Sequence, residues 1–384
     1  MDLTVVPGTE DRVDPRVIAD AFDATRLTQA RFLSGLTKRA VAEALRVSPT
    51  AVGQWETGAT KPRADHIGPL ARTLGVPESF FSAGRPYARV QVADTHFRSL
   101  RSTPAKERNK AIAYVEQVWE LVYALEKRVR FPDVDIPGFT AGDGPTGGFP
   151  TDPKEAARSL RAYWDLGTGP IKSVVRTLEG HGVVVTLVPF AGAATASVDA
   201  FSTSRLPRPL VVLTPERAKD VYRHRFTAAH ELGHLVLHGE VESGDPIQER
   251  EANRFAAEFL LPEDSVTPLL PPRMDLEALS RISVEWGVDV DSLIYRCHEL
   301  GRVSEATYRR AFQRLNQLRN LGLFGADPVS MHPGEIPAVL SRAFALAESA
   351  GLTMAELARE IHCSMPRIRL LLGESEKRPS LRIV

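Results

Sequence analysis

RFTAAHELGHLVLH (residues 225–238), followed by EREANRFAAEFLLP (249–262), is the stretch on which the fold turns. His230 and His234 stand at i and i+4, so on a helix both imidazoles project from one face, close enough to hold one metal ion. Glu231 follows His230 directly, about 100° around the helix, where a carboxylate can reach a water on that ion. Phe226, Ala229, Leu232, Leu235 and Val236 give the same segment an apolar flank that would bury it.

A catalytic zinc needs a third protein ligand and an open position. His238 is excluded on length, because eight residues of straight helix from His230 rise about 12 Å. The ligand is therefore sought on the next helix, Gln248–Leu261, stopped by Pro262. Phe255, Phe259, Ala252 and Ala256 form its packing face, and Glu251 lies at the inner edge of that face. A carboxylate buried there must be paired or metal-bound. Glu249 and Glu258 fall further around and are expected to be solvated. Glu251 is accordingly the expected third ligand.

The two segments together resemble the ImmA/IrrE family of zinc metallopeptidases over roughly residues 150–265. That resemblance implies a zincin-like domain with His230, His234 and Glu251 as metal ligands and Glu231 as general base. The implied cofactor is zinc, although imidazole and carboxylate donors also suit manganese and iron. It further implies a protein substrate, a transcriptional repressor whose cleavage derepresses a stress-response or mobile-element programme. Glu231 would take a proton from the attacking water and deliver it to the leaving amine. Tyr222, His224 and His238 are candidates for the oxyanion donor. The alternative is a transcription factor whose metallopeptidase-like domain serves as a non-catalytic sensing module.

Outward from this motif, residues 36–58 (LTKRAVAEALRVSPTAVGQWETG) carry helix-turn-helix spacing. Ala42 is small where two helices must approach, and Val41, Leu45, Val47, Val52 and Trp55 supply the apolar seam. Ser48 is placed to cap a second helix that starts at Pro49 and can end at Gly58. Residues 24–85 hold nine Lys or Arg and four Asp or Glu, a local charge of +5. The segment resembles the XRE (Cro/cI-like) DNA-binding domains, which often precede ImmA/IrrE peptidases. Arg46 replaces the glycine common at the turn, where a left-handed conformation costs roughly 1 kcal/mol. Duplex DNA is thus an expected partner, with Thr50, Ala51 and Gln54 toward base edges and Lys38, Ser48 and Lys61 toward phosphates. The basic run Arg98, Arg101, Lys106, Arg108 and Lys110 either extends that footprint or is a solvated helix start. Residues 352–368 repeat the first motif at an offset of 316: Leu36, Thr37, Ala42, Leu45, Ser48 and Val52 answer to Leu352, Thr353, Ala358, Ile361, Ser364 and Ile368.

The remaining chain sorts around these motifs. Residues 24–85 form the helix-turn-helix domain, 98–131 a helical connector, and 132–150 a linker in which nine of nineteen residues are Gly or Pro. Residues 151–265 form the metallopeptidase domain, with three strands at Val183–Pro189, Ser197–Ser202 and Leu210–Leu213. Residues 275–320 and 336–384 are helical, the latter either a second DNA reader or a docking piece. The fold class is α+β, flanked by all-α regions. The 384 residues bear 48 basic and 48 acidic side chains, so global charge cannot steer the molecule onto nucleic acid. Two cysteines exclude a disulfide scaffold or a four-cysteine zinc module. The most apolar stretch, Gly182–Ala194, is too short and broken to span a bilayer, and the first residues lack the features of a signal peptide. A cytoplasmic protein with no membrane partner is expected. Homodimer formation is left open.

Overall fold

The computed structural model describes residues 14–85, 96–97, 104–137, 149–187, 200–204, 206–214, 220–238 and 245–374. Arg98, Arg101, most of the expected Gly/Pro linker and the last ten residues lie outside them. The described chain forms two compact units, and they do not follow chain order. One gathers the described parts of residues 1–89, 105–124 and 348–370; the other takes the rest, including the metal motif. The expected segment 336–384 is thus shared between them.

In the first unit, local chemistry sets the helix-turn-helix. Thr37 caps helix Lys38–Leu45 by accepting from the Ala40 amide, and Ser48 caps Pro49–Thr57 by accepting from Ala51 at 3.1 Å. Gly58 ends the second helix in the left-handed region, at φ 74°. Arg46 occupies the turn at φ 56°, ψ 42°. Val41, Ala42, Val52, Trp55, Ile67 and Leu70 fill the seam, with Trp55 packed edge-on against His66. The repeat at an offset of 316 holds down to backbone detail. Thr353 caps Met354–Glu360, His362 takes φ 51° where Arg46 takes 56°, and Ser364 accepts from Arg367 as Ser48 does from Ala51. At the positions of Thr50, Ala51 and Gln54 the repeat carries Pro366, Arg367 and Leu370. Arg367 donates to Gln117 at 2.7 Å and covers the Tyr114 ring.

Helix Ala105–Glu126 completes this unit chemically. Buried Glu120 accepts from Arg26 and, at 2.9 Å, from Arg85, while Arg26 also donates to Gln29 at 3.0 Å. Removing the carboxylate would strand two guanidinium groups whose side chains are 1% and 5% exposed, the costly way to break a buried ion pair.

The second unit is built on a small mixed sheet. The expected three strands are present as β2 (Val184–Leu187), β3 (Ala200–Thr203) and β4 (Leu210–Leu213); a two-residue edge strand, β1 (His96–Phe97), adds a fourth. The order is β1-β3-β4-β2, with β2 and β4 parallel and β3 antiparallel to both its neighbours. The motif helix, Val221–Leu237, packs on β3 and β4 and against helix Pro246–Leu260. Asp220 and Asp245 cap the two helices. Leu232, Leu235, Phe255, Phe259, Val211 and Leu213 belong to the continuous apolar core beneath them. Among the described residues, no helix is long and apolar enough to cross a membrane.

Candidate metal centre

The motif helix and its neighbour approach closely because Gly233 faces Ala252 and Phe255. A Cβ at Gly233 would lie 3.0 Å from the Phe255 ring and 3.3 Å from the Ala252 Cα. This close approach carries the start of helix Pro246–Leu260 to the two motif histidines. His230 and His234, 0% and 1% exposed, face each other with Nε2 atoms 3.1 Å apart. Glu249 spans them: one oxygen lies 3.4 Å from His230 Nε2, the other 3.4 Å from His234 Nε2. Ligand atoms of His230, His234 and Glu249 all fall within 4.8 Å of one another.

Glu251 is not in this group. Its carboxylate accepts from His238 Nε2 at 2.8 Å, and the structure places Glu249 where sequence periodicity favoured Glu251. The physical reason is angular. Glu249 stands three residues before Ala252, the small residue that meets Gly233, and so in line with it, while Glu251, one residue before Ala252, points about 100° away. That spacing from Ala252 was the signal available in the sequence. Glu258, also expected in solvent, is fully buried between Arg158 at 2.8 Å and Arg296 at 2.6 Å.

The electrostatics suit a divalent cation. Burial pulls the His234 imidazole down to about 4, against the opposing influence of Glu249. Burial works to raise Glu249, but its contacts with His230 and His234 outweigh that and bring it to about 2. At neutral pH the carboxylate is therefore charged and the His234 imidazole is not, the protonation states that metal ligation requires. His230 Nδ1 meets Asn253 Oδ1 at 3.0 Å, and an amide oxygen only accepts, so the ring proton sits on Nδ1 and the Nε2 lone pair faces Glu249. An imidazole lone pair and a carboxylate converging on one point are a donor set that a cation satisfies.

Glu231 is wholly buried beside this set, and the Ser202 hydroxyl on β3 donates to its Oε2 at 2.7 Å. Ser202 is a site residue that no sequence pattern marks, since the contact spans 29 positions. Of the three oxyanion candidates, His224 Nε2 engages the Glu335 carbonyl at 3.0 Å, and both His238 nitrogens are engaged by His234 and Glu251. Tyr222 lines a separate cleft of about 670 Å³ with Asp220, Asp289 and Asp291.

On the first unit, Lys38, Ser48, Thr50, Gln54 and Lys61 are exposed and Ala51 is half-buried. Lys38 pairs with Glu56 at 3.2 Å, and Lys61 donates to the Asp20 carbonyl at 2.6 Å.

Fold and site together define a metallopeptidase-like domain joined to a helix-turn-helix domain. Residues 178–298 match the IrrE N-terminal-like domain of the M78 peptidases, and residues 27–81 match a helix-turn-helix family. The chain therefore carries the fusion that its two sequence motifs suggested. No curated protein matches it.

Proposed function

We propose that the protein is a zinc-dependent endopeptidase that also binds duplex DNA and cuts a transcriptional regulator, releasing the genes that regulator holds silent. The observation that carries this reading is the convergence of His230, His234 and Glu249 beside a buried Glu231. Zinc held by those three residues would supply Lewis acidity toward the scissile carbonyl and make water acidic enough to attack near neutral pH. The chain's own residues do the rest. Glu231 accepts the proton of the attacking water and passes it to the leaving amine, and Ser202 orients that carboxylate through Oε2. A purely structural metal domain has no use for a general base.

The helix-turn-helix would bring the peptidase to DNA through Lys38, Ser48 and Lys61, with Thr50, Ala51 and Gln54 toward the bases. The C-terminal pair, with Pro366 and Leu370 at the positions of Thr50 and Gln54 and Arg367 turned to Gln117 and Tyr114, serves to complete the unit. The test is Glu231→Gln in the zinc-loaded protein, incubated with regulators encoded beside its gene. Cleavage should fall by about 10²–10⁴ while zinc content and fold persist. An unchanged rate would remove Glu231 from the chemistry. If the wild type cleaves none of these regulators, a non-catalytic sensing module becomes the better account.

A further inference from the structure

Beyond the ligands, two side chains lead up to His234 in a fixed direction. Glu251, on the neighbouring helix, meets His238 Nε2 at 2.8 Å; His238 Nδ1 meets His234 Nδ1 at 3.1 Å; His234 Nε2 meets His230 Nε2 at 3.1 Å. A carboxylate offers only acceptors, so His238 Nε2 must carry the proton in that contact. A neutral His238 then has a bare Nδ1, which accepts from its partner. The proton of His234 therefore sits on Nδ1 and its Nε2 presents a lone pair. His238 is 5% exposed, so water does not readily replace either bond, and it stands at the C-cap of the motif helix, one turn past His234.

We infer that Glu251 and His238 form a relay that fixes the tautomer and orientation of His234, with Glu251 acting on the metal only through His238. The inference rests on the proposed metal centre. It gives two residues outside the ligand set a positioning role: carboxylate to imidazole to ligand imidazole, each link settling where the next proton lies. It also accounts for a carboxylate that, though 36% exposed, is held on a buried ring.

The test uses the full-length protein and two readouts. Zinc affinity is measured by competition with a chelating dye in wild type, Glu251→Ala, Glu251→Gln, His238→Phe and the Glu251→Ala/His238→Phe double variant. Fold is checked in each by its amide spectrum. Glu251→Ala and His238→Phe should each weaken zinc by about 10–100-fold. The double variant should bind no more weakly than His238→Phe alone. Glu251→Gln, whose amide oxygen still accepts from His238, should lie closer to wild type than Glu251→Ala does. Nitrogen-15 spectra of the metal-free protein provide the second readout: His234 should be the Nδ1–H tautomer and shift toward Nε2–H in Glu251→Ala. Additive losses in the double variant would make Glu251 an independent contributor and overturn the relay. So would unchanged affinity in both single variants, or an Nε2–H tautomer in the wild type. If the wild type binds no zinc, the metal centre itself fails, and the metal-free spectra still decide the relay.

Discussion

Gly233→Ala sets two well-known effects against each other at the centre of the site. Replacing glycine by alanine inside a helix is worth about 1 kcal/mol of helix propensity. Here, however, the new methyl would stand 3.0 Å from Phe255 Cδ1, 3.2 Å from Cγ and 3.3 Å from the Ala252 Cα. Carbon atoms sit comfortably at about 3.5–4.0 Å, so the ring and the helix behind it must retreat by several tenths of an ångström. Phe255 is fully buried and stacked on Phe259 at 5.7 Å, which leaves it little room to turn. Overpacking of this kind costs about 1–3 kcal/mol, for a net destabilisation of about 0–2 kcal/mol. The retreating helix carries Glu249. Zinc affinity should therefore fall about tenfold, out of proportion to the loss of stability. Thermal melts of the metal-free protein and dye competition for zinc measure the two effects separately. Phe255→Leu in the same background should recover zinc affinity by making room for the methyl. The reasoning is refuted if Gly233→Ala raises stability by the full propensity gain and leaves zinc affinity unchanged.

On duplex DNA, Gln54→Ala in the full-length protein should cost about 1–3 kcal/mol on the preferred site and flatten preference among sequences. Lys61→Ala should weaken all sequences alike and lower the salt slope by about one; equal behaviour of the two variants would count against their assigned roles. His362 gives a pH dependence to the helical unit. Burial, then Arg85, pushes its imidazole down to about 4 from an ordinary 6.5. Between those values the unfolded chain binds a proton that the folded chain does not, so stability falls as pH drops from about 6.5 toward 4. His362→Asn, which tolerates the left-handed backbone, should flatten that part of the curve. The urea midpoint can be followed through Trp55 and Trp119 with Trp164 and Trp286 replaced by Phe. An identical slope in His362→Asn would exclude His362 as the source.

What the sequence revealed was local. Thr37, Ser48, Pro49 and Gly58 act within a few residues of themselves, so caps and helix ends could be read directly, and so could the left-handed turn at Arg46. The i, i+4 histidines follow from spacing, and the three expected strands from β-branched runs bounded by Gly, Ser and Pro. Glu249, not Glu251, groups with the two histidines because of how one helix meets another. Ranking carboxylates by their angle to Phe255 and Phe259 favours Glu251, but Gly233 also meets Ala252, and Glu249 stands one turn before Ala252 in line with it. Contacts distant in sequence left no local trace. Ser202 reaches Glu231 across 29 positions, and Glu120 reaches Arg26 across 94. The repeat at an offset of 316 was visible as spacing, whereas its partnership with residues 105–124 and the first helices depends on packing that no single segment encodes.

Zinc content most directly tests the central claim, measured in the full-length protein and its Glu249→Ala variant after equilibration in one buffered zinc solution. One zinc per chain in the wild type, with most of it lost in Glu249→Ala, is the outcome the site requires. A wild type without zinc, or a Glu249→Ala variant that keeps a full zinc per chain, would contradict it.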